Sequence, residues 1–245
     1  MPCALKILAT ARALPPRIVT NTDLEAMVDT SDQWIAERTG IRERRVSHVS
    51  ATELSRVACA RALACAGVAA TDVDLIVYGS CSNDEQIPNT ASGVQLLLGA
   101  THAAAMDVNT ACTSFLYSLS TASALIRTGA IRTALVVGVE VITPFMDWSN
   151  RNVAVLFGDG AAAVVLQATE RTEGLLCERL GCFADARHTL RVRGTGLTYA
   201  NGNITYGDTL WDFDGQEIFK RAVVGMTQAS AALWAASSSP GSSHS

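Results

Sequence analysis

The chain has 245 residues, 49% of them hydrophobic and 17% charged, with a formal net charge of −4. That balance is one of a globular domain and excludes an extended disordered chain. With no cationic excess to neutralise phosphates, it also argues against a nucleic-acid partner. Seven cysteines, at positions 3, 59, 65, 81, 112, 177 and 182, include no C-x-x-C pair and make an odd total. Neither a metal site nor a disulfide framework is suggested. The N-terminal apolar run is too short and too broken for a signal peptide or a membrane span, so a cytoplasmic protein is expected, with no membrane partner.

Taken in chain order, residues 4–10 read as a first strand closed by the Pro15-Pro16 turn. Asn21 is placed to cap a short helix through Met27, and a second helical turn follows Ser31. Trp34 and Arg38 in that turn lie four residues apart, hence on one helix face. Either they form a half-buried packing pair or they face a ligand. Arg42, Arg44 and Arg45 follow as a basic run, which reads as a solvated face or as an attractor of phosphates or of an acidic protein.

Ser50 and Glu53 have the spacing of a capping box and open a helix that Gly67 ends. Residues 73–78 form an apolar strand, 79–88 a loop, and 90–98 a helix stopped by Gly99. Further apolar strands are expected at 103–108, 134–139 and 161–167, the last after a tight turn at Phe157-Gly158-Asp159-Gly160 in which Asp159 is structural. Uninterrupted apolar strands alternating with helices predict a mostly parallel sheet covered on both faces. Another strand is expected at 175–180, a long loop at 194–209, and a helix from Asp214 or Gly215 through Met226, after which the pattern dissolves into a low-complexity tail over 231–245.

The organising stretch is 107–129. An apolar strand passes through Asn109 and Thr110 into a run with apolar side chains at Phe115, Leu116, Leu119, Ala122, Leu125 and Ile126, ended by Gly129. This puts Cys112 in the first turn of a helix expected to be buried, where free N–H groups and the macrodipole favour an anion such as a thiolate. The effect is at most about 2 kcal/mol, and a catalytic cysteine ordinarily has a base or cation beside it as well. Residue type alone leaves two readings for Cys112: a nucleophile, or a small buried hydrophobe.

Three separated blocks then carry a resemblance. Thr110-Ala111-Cys112-Thr113-Ser114-Phe115, with Thr30-Ser31-Asp32-Gln33-Trp34-Ile35 and Arg38-Thr39-Gly40-Ile41-Arg42 upstream and Phe157-Gly158-Asp159-Gly160-Ala161-Ala162 downstream, resembles 3-oxoacyl-[acyl-carrier-protein] synthase III, from about the first strand to Met226. The resemblance implies an α/β, thiolase-like fold of αβαβα layers and a decarboxylating condensation of an acyl-CoA, acetyl-CoA foremost, with malonyl-acyl carrier protein through an acyl-Cys112 intermediate. It further implies Trp34, Arg38 and Arg151 as the coenzyme A site, with indole and Arg151 on opposite sides of the adenine. Ile87 would reach the acyl pocket of a neighbouring subunit in a homodimer; the residue alone is equally well read as a locally packed loop side chain. No permanently bound cofactor is implied, acyl-CoA being a substrate.

The sequence also departs from the family pattern. None of His48, His102, His188 and His244 lies in a Pro-His-Gln-Ala-Asn type motif, and the family's later asparagine and glycine-rich segment have no counterpart. No histidine is therefore assigned a catalytic role. The expected division is a complete N-terminal unit over 1–170, the start of a second, truncated unit over 171–230, and the tail. Two other readings stay open: a catalytically inactive fragment, and a related enzyme that primes quinolone or polyketide synthesis.

Overall fold

The computed structural model describes residues 4–171, 174–194 and 209–238. Its centre is a five-stranded sheet of β1 (Ala4–Ala13), β4 (Leu75–Gly79), β5 (Ala104–Val108), β6 (Thr133–Glu140) and β7 (Gly160–Thr169), in the order β1-β7-β6-β4-β5. The sheet is evenly mixed, which corrects the mostly parallel arrangement expected from the apolar runs. β4 pairs parallel with β5 and β6, whereas β7 runs antiparallel to both β6 and β1. A parallel partner needs a helical crossover to carry the chain back. Helices α4 (Thr90–Leu98) and α5 (Ser114–Arg127) supply one on either side of β5, but between β6 and β7 only the one-turn α6 (Arg151–Ala154) and a 3-10 turn intervene.

Strand alternation feeds two cores. Ile76, Tyr78, Leu135, Val137 and Val165 point to α3 (Ala51–Ala66) and α4, while Leu75, Val77, Val136 and Leu166 point to α5 with Ala122 and Ile126. α3 starts at Ser50, whose hydroxyl accepts from Glu53 N, and ends at Gly67 in a left-handed conformation, as its spacing predicts. A smaller core lies outside the sheet, where the hairpin of β2 (Arg17–Thr20) and β3 (Glu43–Val46) packs with α1 (Asn21–Glu25) and α2 (Asp32–Thr39) through Val19, Leu24, Ile35 and Val155.

Two expectations change in this hairpin. Thr20, not Asn21, caps α1, in a reciprocal box with Asp23. Asn21 is buried, and its Nδ2 donates to Asp32 Oδ1 and to Ile41 O, both at 2.8 Å. The basic run is a surface patch only in part, since Arg42 is exposed and Arg44 is not. Arg44 is 5% exposed and donates to Val19 O, Asn21 Oδ1 and Val155 O, so its guanidinium ties the hairpin to the end of α6 and burial lowers its pKa. Arg42 and Arg45 pair with Asp32 and Glu43.

Asp159 is structural as expected: its carboxylate accepts from Ser47 N, Ile142 N, Thr143 N and Thr143 Oγ1, locking the turn before β7 to β3 and to the end of β6. Beyond Thr169 the expected strand at 175–180 is absent. A strand persists only where a ladder partner is on offer, and this segment pairs with none; it is held by Arg127, which donates to Leu175 O, and by Tyr117 OH on Gly181 O. Residues 195–208, most of the expected loop, lie outside the described residues. Strands β8 (Leu190–Arg193) and β9 (Leu210–Phe213) make a small antiparallel sheet, and α7 (Gly215–Ser238) continues past Gln228 to Ser238, because its alanine-rich second half has high intrinsic helix propensity. Among the described residues no helix is long and apolar enough to cross a membrane.

Two tests follow from this packing. Asp159→Ala strands buried donors and is expected to cost about 3 kcal/mol or more, read as a lowered urea midpoint. Burial raises the pKa of Cys59 and of Tyr78 in the folded state. The unfolded chain ionises first, near about 8.5 for Cys and about 10 for Tyr. Stability is therefore full below about pH 8.5 and falls as pH rises, by about 1.4 kcal/mol per pH unit for each released proton; a urea midpoint constant up to pH 11 would contradict this.

Candidate active site

β5 ends at Val108, and the chain turns through Asn109 and Thr110 into a 3-10 turn, Ala111–Thr113, from which α5 continues at Ser114. Cys112 thus sits just ahead of α5 rather than inside it. It is exposed, as are its neighbours Ala111 and Thr113 and, further along, Leu116 at 56%. The expected burial of this helix holds only for the side facing the sheet, where Ser114, Ser118, Ala122, Ser123 and Ile126 lie.

The turn is strained and braced. Ala111 has φ +52, the one non-glycine residue with positive φ among those described, at a cost of about 1–2 kcal/mol. Asn109 Oδ1 accepts from Ala111 N at 3.2 Å; Ser114 Oγ accepts from Thr110 N at 2.9 Å and donates to Ala111 O at 2.6 Å. α5 can approach because the strands beneath it carry glycine at or near their ends, Gly79 on β4 and Gly138 on β6. A Cβ on Gly79 would stand 2.8 Å from the Ser114 carbonyl carbon and 2.8 Å from Ser118 Oγ, and one on Gly138 would stand 3.1 Å from Phe115.

Around this turn lie the carboxyl ends of β4, β5 and β6, where crevices of open α/β sheets form. Each contributes or receives a carboxylate. Asp107 at the end of β5 accepts from Thr90 N and Ala91 N, capping α4, and from Asn83 Nδ2. Asp84 accepts from Ala51 N, Thr52 N and Thr52 Oγ1, capping α3. Glu140 at the end of β6 accepts from Cys81 N at 3.0 Å, Ser82 Oγ at 2.6 Å and the Cys81 thiol at 3.4 Å. Together they fasten the loop between β4 and α4, on which Ile87 stands 86% exposed. Although Cys81 as a residue is exposed, desolvation of its sulfur first, then the Glu140 charge and hydrogen bond and the nearby Cys112, push the thiol up to about 12.

Trp34, Arg38 and Arg151 come together as the spacing on α2 and the resemblance imply. The Arg38 guanidinium carbon lies 4.5 Å from the Trp34 ring centroid and that of Arg151 4.9 Å, both in cation–π range. Arg151 is also held by Asp29 O at 2.9 Å. No hydrogen bond, ion pair or ring contact joins this trio to Cys112 or to Ile87 among the described residues. His48, His102 and His188 are exposed, and His244 lies outside the described residues. Sequence reasoning did not single out Glu140, Cys81 or Ser114. The available signal was a charge ending an apolar strand in one case, and small polar residues flanking the turn in the others.

Comparison with known proteins bears on this arrangement. The family model for 3-oxoacyl-[acyl-carrier-protein (ACP)] synthase III matches residues 106–182, the span that holds the turn. Beta-ketoacyl-[acyl-carrier-protein] synthase III 2 of Vibrio cholerae is 48% identical over 224 residues, 91% of this chain and 62% of that protein. Beta-ketoacyl-[acyl-carrier-protein] synthase III of Rhodospirillum centenum is 42% identical over 234 residues, covering 92% of this chain and 70% of that one.

The chain belongs to the synthase III family.

Among solved structures, the priming beta-ketosynthase of the R1128 polyketide biosynthetic pathway superposes with a TM-score of 0.86 at 28% identity, over 93% of this chain and 68% of that one. The fold is thereby thiolase-like, and this synthase III chain spans less than two thirds of the length of its Vibrio relative. Two surface cavities among the described residues, of about 450 and 420 Å³, are not lined by Cys112: one lies between β2, β3 and Trp148, the other over β1, β7 and Phe115.

Because the Cys81 thiol is held protonated at neutral pH, its alkylation by iodoacetamide at pH 8 is expected to be far slower than that of Cys65 on the outer side of α3. Glu140→Gln removes one of the groups that hold the proton and should accelerate it. Site-resolved peptide mass spectrometry reads both, and equal rates at Cys81 and Cys65 in the wild type would count against this account.

Proposed function

We propose that this chain is a synthase III type acyltransferase in which Cys112 takes an acyl group from acyl-CoA, acetyl-CoA foremost. The acyl-Cys112 would then be condensed with malonyl-acyl carrier protein, with loss of CO2, to initiate fatty acid synthesis. The observation that carries the reading is the exposed Cys112 thiol on a strained turn at the carboxyl edge of the sheet, in a chain that also gathers Arg38 and Arg151 on Trp34. A thioester carbonyl must reach the sulfur, and an exposed thiol on a turn offers that access.

Trp34 and the two arginines suit the nucleotide end of coenzyme A. At 4.9 Å from the indole, Arg151 leaves no gap for an aromatic ring. Adenine would therefore enter by displacing Arg151 outward, exchanging a cation–π contact for stacking while both guanidiniums stay close enough to meet phosphates. Acyl-CoA is consumed as a substrate, and no bound cofactor is assigned. The condensation step needs donors aimed at a thioester oxygen, each worth about 10²- to 10³-fold in rate; the residues named here account for acyl transfer only.

The same reading divides the chain at about residue 170, since the central sheet is complete at Thr169 and the β8–β9 hairpin begins a separate unit. It has the enzyme in the cytoplasm as a homodimer, in which the outer edge of β5, which pairs with no further strand among the described residues, and the projecting Ile87 would meet the partner. The high structural likeness to a polyketide priming ketosynthase supports a second reading, in which the acyl donor is a different thioester.

Intact mass after incubation with acetyl-CoA should show one acetyl group per chain, absent in Cys112→Ser. Trp34→Ala should need about tenfold more acetyl-CoA for half-labelling. A panel of acyl-CoA thioesters separates the two readings by which donor labels fastest, and no adduct with any donor would sink both.

A further inference from the structure

We infer that Ser114 is a positioning residue for Cys112: its hydroxyl acts as a clip that holds Ala111 in the left-handed conformation and so fixes the direction in which the thiol projects. The inference rests on Cys112 being the acyl acceptor. It is carried by one atom with two bonds on either side of the strained residue. Ser114 Oγ accepts from Thr110 N at 2.9 Å, before Ala111, and donates to Ala111 O at 2.6 Å, after its φ bond. A hydroxyl is the one short side-chain group that can do both at once.

The clip is anchored on a fixed point. Ser114 is 2% exposed, its carbonyl accepts from Ser118 Oγ at 2.7 Å, and its backbone lies against Gly79 at the end of β4 so closely that a Cβ there would stand 2.8 Å from it. Cys112 and Thr113 lie between the anchor and the strained residue and both are exposed, so packing does not hold them. Thr113 N and Oγ1 donate to Thr110 O and Ser114 N to Ala111 O, the bonds of the 3-10 turn, but only the Ser114 hydroxyl joins Thr110 N and Ala111 O through one atom. Alanine gains nothing from φ +52 on its own. Without the hydroxyl the turn relaxes toward right-handed or extended backbone, and the Cα–Cβ direction of Cys112 turns with it. Asn109 Oδ1, on Ala111 N at 3.2 Å, braces only the incoming side.

The test compares the full-length wild type, Ser114→Ala and the double variant Ser114→Ala with Ala111→Gly. The readout is the rate of iodoacetamide alkylation at Cys112 divided by that at Cys65 in the same molecules, resolved by peptide mass, with a melting curve for each protein. Ser114→Ala is expected to lower the ratio about tenfold, the loss of two hydrogen bonds. Ala111→Gly should recover most of it, because glycine adopts the left-handed conformation without help. An unchanged ratio in Ser114→Ala overturns the clip, and so does a lowered ratio that glycine fails to rescue. A purely structural role would shift melting without this pattern. Should Ser114→Ala not fold, amide hydrogen exchange in the wild type decides: Thr110 N–H is expected to be protected although its turn is exposed, and exchange at the rate of a free peptide overturns the proposal. None of these readouts uses acyl-CoA, so a wild type that takes no acetyl group would remove the acyl-transfer reading and leave the clip to be judged on its own.

Discussion

The close approach of α5 to the sheet is the constraint on which the rest of the structure depends. Gly79, at the end of β4, and Gly138, its partner near the end of β6, lie on adjacent parallel strands on the face that α5 covers, and the start of the helix lies directly on them through Ser114, Ser118 and Phe115. A side chain at either glycine would push that turn away from the strand ends. With the turn pinned, β5 must reach it within a few residues, and the price is the left-handed Ala111 immediately before Cys112. The exposed thiol, the strain and the small residues are consequences of one packing decision.

Carboxylates do a second, separate job at the same edge. Asp84 and Asp107 occupy the N-termini of α3 and α4, and Glu140 holds the backbone and side chains of the loop after β4. Each negative charge meets N–H or O–H groups that would otherwise be unpaired, so the loop carrying Ile87 is fastened although its side chains are exposed. Glu140 also acts on one of the two neighbouring cysteines directly: the Cys81 thiol is bonded to it and its pKa is raised, while Cys112 lies on a turn whose hydrogen bonds come from Asn109 and Ser114.

The cover over the α5 face of the sheet is partial. Ile7 on β1 is 53% exposed and Leu116 on α5 56%, and a cavity lies between Phe115 and the β1–β7 pair. α7 likewise presents Phe219 at 70% and Met226 at 64%. Apolar surface of this extent is costly in water, and the part on α5 adjoins the candidate site.

Local rules by themselves determined much. Period and capping placed α3, α4 and α5, and the strands before α4 and α5, to within a few residues, because a Ser cap, a Gly stop and an apolar stripe act over a few positions; β3 before α3 was read only as a basic run. The spacing of Trp34 and Arg38 put them on one face, and the glycine-flanked Asp159 was read as structural. Strand direction was not legible: an apolar run on β7 looks the same whichever way its neighbours point, and only the short connection from β6 made it antiparallel. The 175–180 run failed for the same reason, since a strand needs a partner and sequence does not say whether an edge is free. Arg44, one of three arginines within four residues, was drawn inside because Asn21 and two carbonyls far apart in the chain converge on it. Tertiary structure alone decided that Glu140 lies beside Cys81 and that Arg151 reaches Trp34, because hydrogen bonds and ring contacts between distant segments are set by where the sheet and its helices bring the backbone.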